Sequence, residues 1–155
     1  MAFKLVSSAG SVYEPAVVNL PASGVIRANS VVIFDTSAGY VSPATSTLAT
    51  GTSIVGVALD YLQGASDVFT RVILFNDNQL WEGDVLNLIS TAQVLKRFRL
   101  YDSVTVENST YDQSLSINGV FQCLAVSGAT TGSAKVIGRF MKLNRATTNS
   151  TDVFR

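Results

Sequence analysis

Apolar residues in this chain come in short β-branched runs, each closed by a turn signal within about ten residues, and that spacing leaves little room for anything but strands. Val25–Asp35 carries Val31-Val32-Ile33-Phe34 and stops at Asp35-Thr36-Ser37-Ala38-Gly39. Tyr40 and Val41 follow, and Pro43 ends that stretch. Residues 42–53 form a Ser/Thr/Ala/Gly loop. Ile54–Tyr61 is a strand with Gly56 inside it, the mark of a bulge or a close backbone approach. After the turn Gln63–Asp67, Val68–Phe75 is a further strand, and Asn76-Asp77-Asn78 is a hairpin-type turn built on residues that tolerate positive φ. The composition agrees: 20 Val, 18 Ser and 14 Thr, with charged residues at 14%. Branched side chains fit a pleated surface and crowd a helix.

The predicted fold is therefore all-β: a compact β-barrel or sandwich of short antiparallel strands, with an extended N-terminal arm and at most one short helix. Residues 1–20 read as the arm or, alternatively, as the first strand of the core. Residues 21–143 read as a single β domain and 144–155 as a polar tail, mobile or ordered by a partner. Val85–Leu100 is the one place for a helix, although two short strands explain it nearly as well. Later strands are expected at Ser103–Glu107, Gly119–Ser127 and Ala134–Leu143.

A weak internal repeat runs through this domain. Gly64-Ala65 followed by Arg71-Val72-Ile73 recurs as Gly128-Ala129 followed by Lys135-Val136-Ile137 at the same spacing. Gly56-Val57 and Gly119-Val120 precede them, as do Asn29-Ser30-Val31 and Asp102-Ser103-Val104. Either a β-meander has been duplicated to close one barrel or sandwich, or small residues coincide.

Histidine is absent, so Ser–His–Asp triads, Cys–His pairs and histidine-ligated metals are excluded. The single cysteine, Cys123, makes no internal disulfide; on a strand face it is an inert small hydrophobe. Asp77, Glu82 and Asp84 beside Trp81 are the best acidic cluster. A glycosidase pair needs one buried, protonated acid, and these acids sit among turn residues. Calcium would favour such oxygens, but the loop spacing it requires is missing. Trp81 is more simply core or interface filler than a sugar platform. Gly128-Ala129-Thr130-Thr131-Gly132 lacks the Gly-Lys-Ser/Thr ending of a phosphate loop. Lys96-Arg97-Phe98-Arg99 interleaves bases with an aromatic, as a single-strand nucleic-acid binder does, but the whole chain has a net charge of zero. The reading is no enzyme, no cofactor, no nucleic acid and no membrane. The N-terminal residues hold no apolar run long enough for a signal peptide, which predicts synthesis in a cytoplasm or export by a route the sequence does not show.

Charge is divided: three bases and seven acids up to residue 90, eight bases and four acids beyond. Such a subunit presents opposite signs to different neighbours, or simply solvates two faces.

The run Ala28-Asn29-Ser30-Val31-Val32-Ile33-Phe34-Asp35, then Gly39-Tyr40-Val41-Ser42-Pro43-Ala44, then Ile54-Val55-Gly56-Val57-Ala58 resembles the decoration (cement) proteins of tailed-phage capsids. The likeness covers residues 25–60. It departs at Asn29-Ser30, where that family often has glycine, and it does not extend beyond Trp81. It implies a compact β-barrel, often trimeric, that binds the outside of an assembled shell and bridges major capsid protein subunits. The location implied is the virion surface, with the host cytoplasm during assembly. Phe3, Leu5, Val6, Tyr13, Trp81, Arg97 and Arg99 are the expected interface residues, with the arm adding a strand to a neighbour's edge. The competing reading is a carbohydrate-binding or adhesion module of a fibre, using Trp81, Tyr40, Tyr61 and Asp84.

Overall fold

A computed structural model describes residues 3–7, 16–63, 68–108, 117–127 and 133–142. The strands are β1 (Lys4–Ser7), β2 (Val17–Ala22), β3 (Val25–Ile26), β4 (Ser30–Asp35), β5 (Tyr40–Pro43), β6 (Ile54–Ala58) and β7 (Leu62–Gln63), followed by β8 (Val68–Leu74), β9 (Leu80–Ile89), β10 (Arg97–Leu100), β11 (Thr105–Glu107), β12 (Phe121–Ser127) and β13 (Ser133–Phe140). Among the described residues the only helical piece is a three-residue 3-10 turn, Thr91–Gln93. The protein is all-β. The Val85–Leu100 stretch resolves as the end of one strand, that turn and a second strand, as its broken helical stripe allowed.

The strands close two rings. Ring one runs β2-β5-β4-β6-β8 and returns to β2. Ring two runs β9-β11-β10-β12-β13 and returns to β9. Their connectivity is the same. In each, the first strand lies parallel to the third (Ala22↔Val41; Val106↔Val85), and every other neighbour is antiparallel. The strand order is not the expected meander, since each first strand pairs with the third and not the second, and two rings close where the sequence suggested one barrel or sandwich. Arg71-Val72-Ile73 and Lys135-Val136-Ile137 fall on the fifth strand of their rings, as a repeat requires. Asn29-Ser30-Val31 opens a second strand, whereas Asp102-Ser103-Val104 lies between second and third, so that part of the repeat is coincidence. Gly64-Ala65 and Gly128-Ala129 lie outside the described residues.

Two cores fill the rings. The smaller is built from Ala22, Ile26, Val32, Val41, Ala58 and Val72 inside ring one. The larger holds Trp81, Phe98, Leu100, Phe121, Cys123, Val136 and Phe140 inside ring two, and extends over Val31, Ile33 and Val57 on the outside of ring one. β4 is therefore buried on both faces, one toward each core. That is the physical reason Val31-Val32-Ile33 reads as an unbroken apolar run instead of alternating. At Gly56 β6 and β8 leave no room for a side chain: a Cβ there would lie 2.0 Å from the Ile73 carbonyl oxygen. A register shift in the β4–β6 pairing falls beside it, so the bulge expected at this glycine is present.

The expected free arm is not what residues 3–7 form. β1 pairs with the chain's own β9 (Lys4↔Glu82, Leu5↔Trp81), and the Phe3 amide donates to the Asn29 carbonyl (2.9 Å). Phe3 is only 1% exposed and meets Phe140 edge-on at 5.0 Å and Phe121 at 5.9 Å. It lies over Gly83, where a Cβ would collide with its ring at 2.4 Å. The alternative reading, a first core strand, holds for these residues. Residues 17–20 likewise belong to ring one. Pro21 is tolerated in β2 because β2 meets β5 only at Ala22, leaving one side of the strand almost without ladder bonds to lose.

Candidate functional site

Ring one is plugged at one end and open at the other. At the plugged end, β3 and β7 pair (Ile26↔Leu62), and Ile26 is fully buried in the ring-one core. At the open end, inward-facing side chains run out of neighbours. Leu20, Val55 and Leu74 pack against that core yet stay partly exposed, and Phe34 is 38% exposed. Together with Val18 they line a groove of about 520 Å³, with Lys142 from the end of β13 on its rim. Mouths of β-barrels with an apolar lining and a few polar groups are common ligand sites.

The polar wall of this groove is rigid. The Thr50 amide donates to the Ser53 hydroxyl (2.9 Å), which donates to the Leu48 carbonyl (2.6 Å). Ring two holds the same loop from below: the Gly51 amide donates to the Ile117 carbonyl (2.9 Å), and the Asn118 side-chain amide donates to the carbonyls of Ala49 (3.2 Å) and Thr47 (3.3 Å). A second cavity of about 280 Å³ lies between β1 and ring one, lined by Phe3, Leu5, Asn29 and Trp81. The Trp81 indole N–H is buried and meets no acceptor among the described residues.

The sequence-predicted site residues do not gather in either place. Phe3 and Trp81 are core side chains, Leu5 packs partly against the core, and Val6 is 48% exposed on β1. Phe3 and Trp81 are thus occupied inside the chain, which corrects their assignment to an interface. Tyr13 lies outside the described residues. Arg99 makes an ion pair with Glu107 on the outer face of ring two. Arg97 stands opposite Gln122, which stands opposite Arg139 and accepts from its Nε at 3.0 Å. Phe98, between the two arginines, is buried in the core. The interleaving of bases and an aromatic is therefore plain strand alternation and offers no stacking platform.

The acids are also dispersed. Asp77 sits in an exposed turn, Glu82 accepts from the Ser127 hydroxyl (2.9 Å), and Asp84 pairs with Lys135 (2.8 Å). Among the described residues no group of three acids or cysteines could hold a metal ion. Burial pushes the Cys123 thiol up to about 11, far from a working thiolate. With Trp81 buried, the sugar-platform reading keeps only half-buried Tyr40 and exposed Tyr61.

The groove residues carried no motif. They come from separate strands and a loop, and their convergence on one mouth becomes visible only once the ring order is known. No protein-family model and no curated protein matches this chain.

Proposed function

We propose that the protein is a capsid decoration protein of a tailed phage. In this reading it binds the outer surface of the assembled shell and bridges major capsid protein subunits, itself associating as a homo-oligomer, with a trimer the first expectation. The observation that carries the reading is that the decoration-like segment, residues 28–58, forms three neighbouring strands of one sheet, β5-β4-β6. The likeness therefore covers a contiguous piece of barrel and not scattered positions. Two closed rings joined by shared packing make a stiff body, which is what a clamp over a shell needs. Many weak symmetric contacts then add as intramolecular events.

Burial of Phe3 leaves Val6 as the exposed apolar side chain of the first strand. Val17, Pro21 and Phe69 are exposed side by side on β2 and β8. The experiment is to add purified protein to emptied shells of the parent phage and image them at residue resolution. Ordered density at symmetry-related positions supports the reading; shells that stay bare, with the protein folded, overturn it. A positive glycan array without shell binding would replace it with the adhesion module.

A further inference from the structure

Two strands, β1 and β2, leave an edge without a full ladder partner among the described residues, and they treat it differently. β1 pairs only with β9; it carries Lys4 and a register break between Leu5 and Ser7. A lysine and a bulge are common means of blunting an edge. β2 pairs along its whole length with β8 but meets β5 at Ala22 alone. Its open part, Val17-Val18-Asn19-Leu20, has no charge and no register break.

The pairing fixes which backbone groups point out of that edge. The Leu74 amide donates to the Ala16 carbonyl (2.9 Å), so Ala16, Val18 and Leu20 bond to β8. Alternation turns the N–H and C=O of Val17 and Asn19 the other way. Ser23 also faces that way, and its amide donates to the Val41 carbonyl (2.9 Å) at the short seam with β5. Two donors and two acceptors, on Val17 and Asn19, are left at an exposed edge. Beside them lies the groove lined by Val18, Leu20, Phe34 and Thr36.

We propose that this edge takes the same edge of a second copy, antiparallel about a twofold axis at Val18. Val17 of each copy then stands opposite Asn19 of the other, and each amide donates to the facing carbonyl. Four bonds satisfy every open group on both edges. Sliding the register by one pleat either way sets one of these residues against its own mate and the other against a proline, Pro15 or Pro21, which has no N–H to give. On the axis, Val18 of each copy faces the other's groove, apolar on apolar. Arg71, which pairs beside Asn19, is neutralised by Asp60 (2.6 Å), so the contact brings no unpaired arginines together. Such a contact is isologous and closes at two copies, a dimer in place of the trimer that the resemblance implies. The inference does not depend on shell binding.

Asn19→Pro gives the sharpest test. The Asn19 amide makes no ladder bond among the described residues, and Pro21 already stands one pleat further along the same strand. Light scattering behind a sizing column is expected to read a dimer for the full chain and a monomer for Asn19→Pro, with the emission of Trp81 unchanged. If that variant does not fold, Val18→Asp carries the same expectation: the side chain is partly exposed in one copy, and the twofold sets two carboxylates directly opposite each other. Val18→Cys reads the register, because its symmetry mate lies about 4.5 Å away between Cα atoms, within disulfide reach. Oxidised glutathione is expected to link those chains, while Val17→Cys, diagonal to its mate at about 7–8 Å, stays unlinked. Cys123 is buried and does not compete. A full chain that runs as a monomer at every concentration, or as a trimer, overturns the proposal. So does a dimer that survives both Asn19→Pro and Val18→Asp, or a link through residue 17 in place of 18.

Discussion

Ring one and ring two share one connectivity and almost nothing of their filling. Ring one is packed with alanine, valine and a glycine; ring two holds Trp81, Phe98, Phe121 and Phe140 and borrows two more rings from outside its own strands. Phe3 comes from β1, and Phe75 from the segment that joins the rings, stacking on Phe140 at 4.1 Å and meeting Trp81 edge-on at 5.7 Å. Backbone pairing sets the order of strands, whereas side-chain volume decides whether a ring is closed to a ligand or left with a mouth. One ring supplies mass and stiffness. The other is left with an apolar groove and with β4, a strand both cores require.

The contrast breaks first at the borrowed aromatics. Phe3→Ala removes a fully buried ring from a cluster of edge-to-face contacts and should cost about 3–5 kcal/mol in urea unfolding. Val72→Ala in ring one removes two carbons and should cost about 1.5 kcal/mol. Because a domain holds only about 5–15 kcal/mol in all, deleting residues 1–7 should threaten the fold, not merely a contact with a neighbour. A Phe3→Ala loss no larger than that of Val72→Ala would show that ring two does not depend on this borrowed side chain.

The next prediction concerns what the rings share. Each closes its fourth and fifth strands through one glycine. A Cβ on Gly56 would lie 2.0 Å from the Ile73 carbonyl oxygen, and one on Gly138 would lie 2.1 Å from that of Gln122. In both cases the obstacle is backbone and cannot rotate away. Gly56→Ala and Gly138→Ala should each cost about 3 kcal/mol, the upper end of ordinary overpacking, by the same urea measurement. A tolerated alanine at one of them would mean that the two closures differ in kind.

Titration separates the rings again, with a smaller effect. The ring-one core contains no ionisable side chain, while ring two buries Cys123. Its thiol ordinarily titrates near 9.0, and burial raises it to about 11. Above pH 9 the unfolded chain releases a proton that the folded chain keeps. Stability is therefore fully present below pH 9 and falls as pH rises toward 11. Cys123→Ala should flatten that alkaline decline, as read by denaturant midpoints at pH 8 and pH 10.5. Equal declines in both proteins would assign the effect to another group.

How far the sequence shows this structure depends on the range of the interaction. Turns were legible because their chemistry is local: the Asp35 carboxylate accepts from the Ser37 and Ala38 amides (2.9 and 3.2 Å) and the Ser37 hydroxyl (2.6 Å), and Gly39 supplies φ 78°. These bonds, the Ser37 hydroxyl foremost, also hold the Asp35 carboxyl below its ordinary value. Gly56 and the inertness of Cys123 were legible for similar reasons. Ring closure was not, because it rests on parallel pairs between strands separated by an intervening strand, one of which, β11, has three residues. The destination of Phe3 was hidden too, since nothing near it in sequence names Gly83 as the space it fills. The groove left no trace, because an unfilled volume is a property of the assembled ring.

The finest distinction lies at the entry to each ring's second strand. Asn29, with φ 60°, stands immediately before β4; Leu95, with φ 70°, stands two residues before β10. Both are left-handed. Asparagine visits that region at little cost, whereas leucine brings its Cβ against the following carbonyl, at about 1–2 kcal/mol. Leu95 gains little burial in return, being 64% exposed, but its backbone is held: its amide donates to the Cys123 carbonyl (2.7 Å), and its carbonyl accepts from the Gln122 side chain (3.2 Å). Those bonds do not involve the side chain. Leu95→Asn should therefore keep them and raise stability by about 1 kcal/mol, with Leu95→Gly gaining somewhat less because glycine also loosens the unfolded chain. The expected readout is a higher urea midpoint at an unchanged slope. A loss of stability in both variants would mean that the exposed leucine contributes more through its side chain than its backbone forfeits, and that the two strand entries are not the same device.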